Sequence, residues 1–306
     1  MHRDLVLVPS YFRPEFLALN LEHILAADGG RQKEVWVAQD RHKSDGPELT
    51  RHLSDIKLIC EKFRWQFEAF RYIERLPHNY RGNPLNFLEL YKEAFHQSDC
   101  RYVYLVEDDV LVGKDFFRWH EAVQEKEAPF ISVGWHCIRD TAKVPKTQDP
   151  HAYVVSYRDF SSIGVCWKRE HLEALVKHAT GFYYIDNKAY FLKHFPGSPI
   201  PAGKWTEQAG LITRLLHQTR NRKVIWPGKS RVAHIGIQGY HRPNGFKFPG
   251  ELQQRINGLK DVVSSTEKMQ ALSKDKWLDV NALPPYEDWD PAKLYVMQTN
   301  LYDGTV

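Results

Sequence analysis

Short apolar runs alternate with helical periodicities through the first hundred residues, and that alternation restricts the chain to a small set of folds. Asp4–Val8, Glu34–Ala38 and Trp65–Tyr72 read as strands, and the aromatic and β-branched run beginning at Tyr102 reads as a further, buried one. Between them, Glu15–Ala27 carries Phe16, Leu17, Leu19, Leu21, Ile24 and Leu25 at helical spacing. His52–Phe63 is amphipathic, Glu74–Pro84 is loop-like, and Leu85–His96 is a helix leading into the Tyr102 strand. Such a pattern predicts an α/β fold, a mostly parallel central sheet of Rossmann-like type with helices on both faces. Ligands of these sheets bind beyond the carboxyl ends of the strands. Arg13, Asp40 and the acids Glu107, Asp108 and Asp109 all stand at such ends.

The three consecutive acids close a buried strand, where carboxylates repel one another and are costly to desolvate. A divalent cation removes that cost, and hard cations prefer carboxylate oxygens. A solvated turn after an edge strand is the plainer reading.

The 306 residues hold 42% hydrophobic and 13% aromatic side chains, enough for a sizeable core. The formal net charge is +4, unevenly spread. Residues 201–250 carry nine Lys and Arg against one acid, Glu207, a net +8; residues 251–306 carry a net −3. A basic window suits a diphosphate or a polyanion, and equally a solvated face. The four cysteines form no CxxC pair, which fits free thiols in a reducing compartment better than disulfides or a zinc site. The N-terminal run is too short for a signal peptide, and no window approaches a membrane span. The expectation is a cytoplasmic protein.

Further along, Phe116–Glu125 reads as a helix, and Phe130–Trp135, Ala152–Ser156, Ser161–Trp167 and Lys223–Trp226 as strands. Glu170–His178 and Thr206–Gln218 are helical, and Gly181–Ser198 is ambiguous. The Gly- and Pro-containing segment Gly236–Gly250 reads as a mobile loop. Glu251–Leu278 is helical, and the tail from Asn281 is a strap or a frayed end. The domain expectation is a catalytic unit over 1–250 with a C-terminal extension over 251–306.

Several ordered motifs together resemble a family. VPSYFRPEFLALNLEHIL, VWVAQD, VYLVEDDVLVGKDFF, FISVGW, FSSIGVCWKREHLEAL and GKSRVAHIG are similar, in order, to segments of GT-A nucleotide-sugar glycosyltransferases. The resemblance is greatest to the N-acetylglucosaminyltransferases that begin complex N-glycans or extend O-mannosyl glycans, and it runs from about Asp4 to Gly250. It implies a GT-A fold, a UDP-sugar donor and a Mn2+ or Mg2+ ion held by Asp109. Glu107 and Asp108 would reach the donor sugar and ribose. Arg13 and Asp40 would hold the diphosphate and the uracil, and Ser230 and Arg231 the diphosphate as the 236–250 loop closes. Arg81, Trp135 and Trp205 join the donor-binding set. Each has a plainer reading: Arg13 paired with an acid, Asp40 capping a turn, Ser230 and Arg231 at the surface.

The sequence departs from the family at two points. The family's base is an Asp directly after a Trp, whereas Trp205 is followed by Thr206 and Glu207. The polar run from His136 to Asp140 also differs, which leaves the sugar open. Glycosyl transfer needs a carboxylate to take the acceptor proton. Glu207, the one acid of the basic window, is the first candidate and Asp186 the second. A helix N-terminal acid is the alternative role for Glu207. His234 reads as a packed or hydrogen-bonded histidine rather than a metal ligand. A base opposite the departing diphosphate implies single displacement with inversion.

The acceptor is open between glycans, proteins or small molecules and a hydroxymethylated DNA base of bacterial or viral type, the latter held through the basic 201–250 region. Two other classes compete: a non-catalytic nucleotide-sugar-binding protein on the same scaffold, and a nucleotidyltransferase, whose Gly-rich loop after strand one is missing from VPSYFRPEF.

Overall fold

The computed structural model describes residues 3–43, 45–79, 84–135, 147, 149–157, 160–204, 207–219, 221–234 and 290–300. Arg81, the 136–140 run, Trp205, Thr206, the 236–250 segment and the helix expected over 251–278 lie outside the described residues.

The first half alternates as the pattern predicts. Strand β1 (Leu5–Ser10) leads to α1 (Pro14–Ala26), β2 (Glu34–Gln39) to α2 (Pro47–Phe63), and β3 (Ala69–Glu74) to α3 (Pro84–Gln97). Then come β4 (Tyr102–Leu105), β5 (Val110–Val112), α4 (Phe116–Glu127) and β6 (Ile131–Val133). The third strand begins later than expected, and Trp65 sits exposed in the turn before it. Strands β7 (Ala152–Ser156) and β8 (Val165–Lys168) follow. The ambiguous 181–198 stretch forms two short helices, which here follow α5 (Glu173–Val176): α6 (Gly181–Ile185) and α7 (Asn187–His194). Helix α8 (Gln208–Thr219) precedes β9 (Val224–Pro227) and β10 (Val232–His234), and β11 is Tyr295–Asn300.

Nine strands form one sheet in the order β11-β7-β9-β6-β8-β4-β1-β2-β3. Strands β3, β2, β1 and β4 are mutually parallel, β6 and β9 run parallel to each other, and β8 lies antiparallel between β4 and β6. The fold is therefore mixed α/β with a largely parallel sheet flanked by helices. Both faces are covered, and β1 shows it residue by residue. Leu5 and Leu7 enter one core cluster with α3 and α8, while Val6 and Val8 enter the other with α1 and α2. The tail does not all fray: β11 adds parallel to β7 at the sheet edge, so this part of the 251–306 extension belongs to the main sheet. Among the described residues no helix is long and apolar enough to cross a membrane.

Two features of this topology position the site. The chain winds from β1 through β2 to β3, then returns to place β4 on the other side of β1. The crevice between the carboxyl ends of β1 and β4 is thus a switch point, where ligands of such sheets bind. Second, β5 leaves the sheet and pairs antiparallel with β10, so that Val110 stands opposite His234. Gly164, at φ +62°, lets this pair close down: a Cβ there would lie 2.7 Å from Val232 Cγ1.

Candidate functional site

The acids of the central strand gather their partners from four segments. After β4 the chain turns, with Val110 N–H donating to the Glu107 carbonyl at 2.9 Å. Asn20, the polar residue on the buried face of α1, donates its side-chain amide to the carbonyls of Glu107 and Val110 at 3.0 and 2.6 Å. The turn is pinned by a helix that ninety residues of sequence separate from it.

Asp108 is buried, and its Oδ2 accepts from the Ser10 hydroxyl at 2.9 Å and from the Tyr11 amide at 3.4 Å. Its other oxygen takes Arg13 Nη2, while Arg13 Nη1 reaches Asp109 Oδ2 at 2.5 Å. One guanidinium therefore forks across two adjacent carboxylates. His234 Nε2 stands 3.3 Å from the same Asp109 Oδ2, and the ring of Trp135 lies 6.3 Å from the His234 ring. Ser162 donates to Glu107 Oε1 at 3.1 Å.

Charge in this cluster is unbalanced. Burial raises the Glu107 pKa, and the neighbouring Asp109 carboxylate raises it further, to about 7. Burial also raises Asp108 above the ordinary range, partly offset by Arg13. Burial works on Asp109 in the same direction, but Arg13 and His234 outweigh it and hold this carboxyl well below the ordinary range. His234 is itself raised, because hydrogen bonding and attraction to Asp109 exceed the cost of its burial. Among the described residues three carboxylates thus share one guanidinium and one imidazole.

The cluster fits a hard divalent cation on two counts. Asp109 is only 5% exposed, yet among the described residues its Oδ1 has no hydrogen-bond partner. A buried anionic oxygen left this way is expensive unless something else neutralises it. The carboxylate oxygens are the donors that Mn2+ and Mg2+ prefer. Among the described residues no three His, Cys, Asp or Glu side chains are grouped to hold a metal by themselves.

A second polar group lies at the end of β2. Asp40 Oδ1 accepts from the Arg41 amide at 3.0 Å and stands 2.8 Å from His78 Nε2. Tyr11 runs between the groups, its amide on Asp108 and its hydroxyl donating to Asp45. His78 and Asp45 went unassigned in the sequence reading, because the loops that carry them show no periodicity.

Other expected residues have different surroundings. The guanidinium of Arg231 is fully buried. Its Nη1 donates to Asp115 Oδ2 at 2.8 Å, its Nη2 donates to the Pro150 carbonyl, and it packs 5.6 Å from the Trp119 ring centroid. Its carbonyl accepts from Gly113, and its amide donates to Gly134. The expectation of a diphosphate ligand meets a residue that ties β10 to the start of α4 and the end of β6. Asp115 explains the change: a buried carboxylate supplies the counter-charge that an incoming phosphate was expected to supply. Ser230 beside it is half-buried. Of the basic window, Arg214 is also buried, donating to the carbonyls of Gly210, Pro201 and Lys204, and Lys223 pairs with Glu127 at 2.9 Å. Much of that charge serves the fold.

Asp186 is exposed and caps α7, accepting from the Ala189 amide at 2.9 Å. That satisfies it structurally. Glu207 is half-buried, and its carbonyl starts α8 by accepting from Gly210 and Leu211. Strand β9 runs in the direction of β4, by way of β6 and the antiparallel β8. Helix α8 precedes β9 in the chain.

No protein-family model matches the sequence, and no curated protein matches it. Solved structures overlap it in part. The crystal structure of S. aureus TarS 1-349 aligns at TM-score 0.46 and 14% identity, covering 75% of this chain and 59% of that one. The mannosyltransferase PcManGT from Pyrobaculum calidifontis, in complex with GDP-Man and Mn2+, aligns at 0.41 and 20%, covering 57% and 46%. The galactosyltransferase LgtC, in complex with donor and acceptor sugar analogs, aligns at 0.40 and 10%, covering 70% of each. The chain spans about three fifths of the length of the TarS fragment. These overlaps are remote, and the functional reading rests on the acid cluster and its neighbours.

Proposed function

We propose that this protein is a metal-dependent, inverting glycosyltransferase of the GT-A class, moving a GlcNAc- or glucose-like sugar from a UDP donor to an acceptor hydroxyl. The observation that carries the reading is Asp109. It lies buried at the switch point, with one oxygen shared by Arg13 and His234 and the other without a partner among the described residues.

Asp109 would hold Mn2+ or Mg2+, with His234 beside it. The bound ion would supply Lewis-acid stabilisation of the charge on the leaving diphosphate. Glu107 and Asp108, fixed by Ser162 and by Ser10, would orient the donor's sugar and ribose hydroxyls. Arg13 carries the fork suited to phosphate oxygens. Asp40, steadied by His78 and the Arg41 amide, would accept from the base. Trp135, packed beside His234, would shield the anomeric centre from water. Glu207 would take the proton of the acceptor hydroxyl as it attacks opposite the diphosphate.

The acceptor belongs to the class of hydroxyl groups in general. A hydroxymethylated DNA base is one member, and the burial of Arg214 and Arg231 removes part of the charge that would follow a phosphate backbone. With Cys60, Cys100 and Cys166 free and buried, we place the reaction in the reducing cytoplasm.

Calorimetry of UDP with and without manganese, on wild type and Asp109→Ala, tests the reading. UDP affinity is expected to depend on manganese in the wild type and to lose that dependence in the variant. Equal metal-free binding by both proteins removes the metal assignment. Saturable binding of UDP-sugars, with neither hydrolysis nor transfer to glycan, small-molecule or hydroxymethylated DNA acceptors, favours a non-catalytic binding protein.

A further inference from the structure

Arg13 occupies the position from which a cation would be held. Its two terminal nitrogens are spent on Asp108 and Asp109, and the Asp109 oxygen it grips is also the one facing His234. A guanidinium and a divalent cation cannot both sit tightly on these carboxylates, because they repel one another in a site of low exposure. Arg13 is mostly buried, its side chain 17% exposed, and begins α1 with its carbonyl accepting from the Leu17 amide. Its backbone is therefore fixed, and only its side chain is free to change partner.

We propose that Arg13 is a resident counter-cation that makes metal binding conditional on the nucleotide diphosphate. Without nucleotide, Arg13 neutralises Asp108 and Asp109 and the metal is excluded. A diphosphate offers the same fork a second bidentate anion. When Arg13 turns to it, Asp109 Oδ2 keeps His234 alone, and the carboxylate, through its other oxygen, becomes a metal ligand. Metal and diphosphate then bind with positive coupling, and each tightens the other by the same factor. This inference rests on the proposed donor site and adds an order to it.

The test is a four-sided binding cycle. Mn2+ alone, UDP alone, Mn2+ with UDP and UDP with Mn2+ are titrated, with free Mn2+ followed by electron paramagnetic resonance and UDP by calorimetry. The proteins are wild type, Arg13→Gln and Arg13→Lys, each checked by circular dichroism and thermal melting. In the wild type, UDP is expected to tighten Mn2+ at least tenfold. Arg13→Gln is expected to bind Mn2+ alone at least tenfold more tightly than wild type, and to lose most of the coupling. Arg13→Lys, with a point charge and no fork, is expected to fall between. Wild type that binds Mn2+ and UDP independently of each other overturns the proposal without any variant. Coupled binding in the wild type, with Mn2+ alone no tighter in folded Arg13→Gln, overturns the role of Arg13 and leaves the donor site standing. Wild type that binds neither UDP nor Mn2+ in any combination overturns both.

Discussion

The side-chain amide of Asn20 lies 2.6 Å from the carbonyl oxygen of Val110, and the same nitrogen reaches the Glu107 carbonyl at 3.0 Å. Helix α1, which Arg13 begins, thus also sets the shape of the turn bearing all three acids. Replacing Asn20 by Leu keeps its approximate volume, takes the side-chain donor from the Val110 carbonyl and leaves the Glu107 carbonyl with the Val110 amide alone. The expected loss of stability is about 1–3 kcal/mol, read as a lower melting temperature. Manganese-dependent UDP affinity should fall with it, because the Asp109 carboxylate loses its fixed direction. A variant with native UDP affinity in manganese would mean that the turn holds itself.

The buried pair of Arg231 and Asp115 leads to a different expectation. Removing one partner from such a pair strands a charge, at a cost of about 3–5 kcal/mol. Arg231→Met should therefore lower the melting temperature sharply, and Asp115→Asn in the same chain should recover part of the loss. A phosphate-binding arginine would behave otherwise, with UDP affinity falling and the melting curve hardly moving. Chemical denaturation of the two variants separates these outcomes.

Burial, and then Asp109, raise Glu107 to about 7, which gives the site a pH dependence. The folded pKa lies above the ordinary carboxylate value, so the protonated form is favoured in the free protein. The stability this contributes is full below about 4.5 and is lost as pH rises through about 7. Metal with diphosphate favours the ionised form and has to expel the proton below that point. Manganese-dependent UDP affinity should then weaken as pH falls from 7.5 to 5.5, by up to about tenfold per unit for one proton. Glu107→Gln should flatten that slope in calorimetry. An unchanged slope would assign the proton to another group.

The parts of this site that could be read from the sequence are those signalled by local pattern. Glu107 to Asp109 interrupt an apolar run at its end, and Arg13 and Asp40 follow runs of their own, so strand-end placement followed from periodicity. His234 was expected to be packed or hydrogen-bonded, and it is bonded to Asp109, but that partner comes from the pairing of β5 with β10 across more than a hundred residues. Asn20 gave one faint signal, an amide among the apolar positions of α1. The sequence assigns Arg231 to the diphosphate, and Arg214 to a basic window for an anionic ligand or a solvated face, because burial of a cation leaves no mark in composition. The reversed direction of β8 and the return of β11 to the sheet edge are likewise long-range pairings, fixed by the packed whole rather than by any local stretch.

The two candidate bases differ in what already occupies them. The Asp186 carboxylate is engaged as the cap of α7, so Asp186→Asn, which still accepts at a cap, should leave turnover near wild type and the fold intact. Glu207 starts α8 through its backbone carbonyl, and the helix survives exchange of its side chain. A base acts on the acceptor proton only as the bond forms, so Glu207→Gln should leave UDP affinity in manganese within about twofold. Turnover should fall by about a hundredfold or more, the range over which a positioned acid or base contributes. Measuring kcat beside UDP affinity for both variants separates catalysis from donor binding. If Glu207→Gln turns over at the wild-type rate while Asp186→Asn does not, the base is Asp186 and the assignment of Glu207 fails.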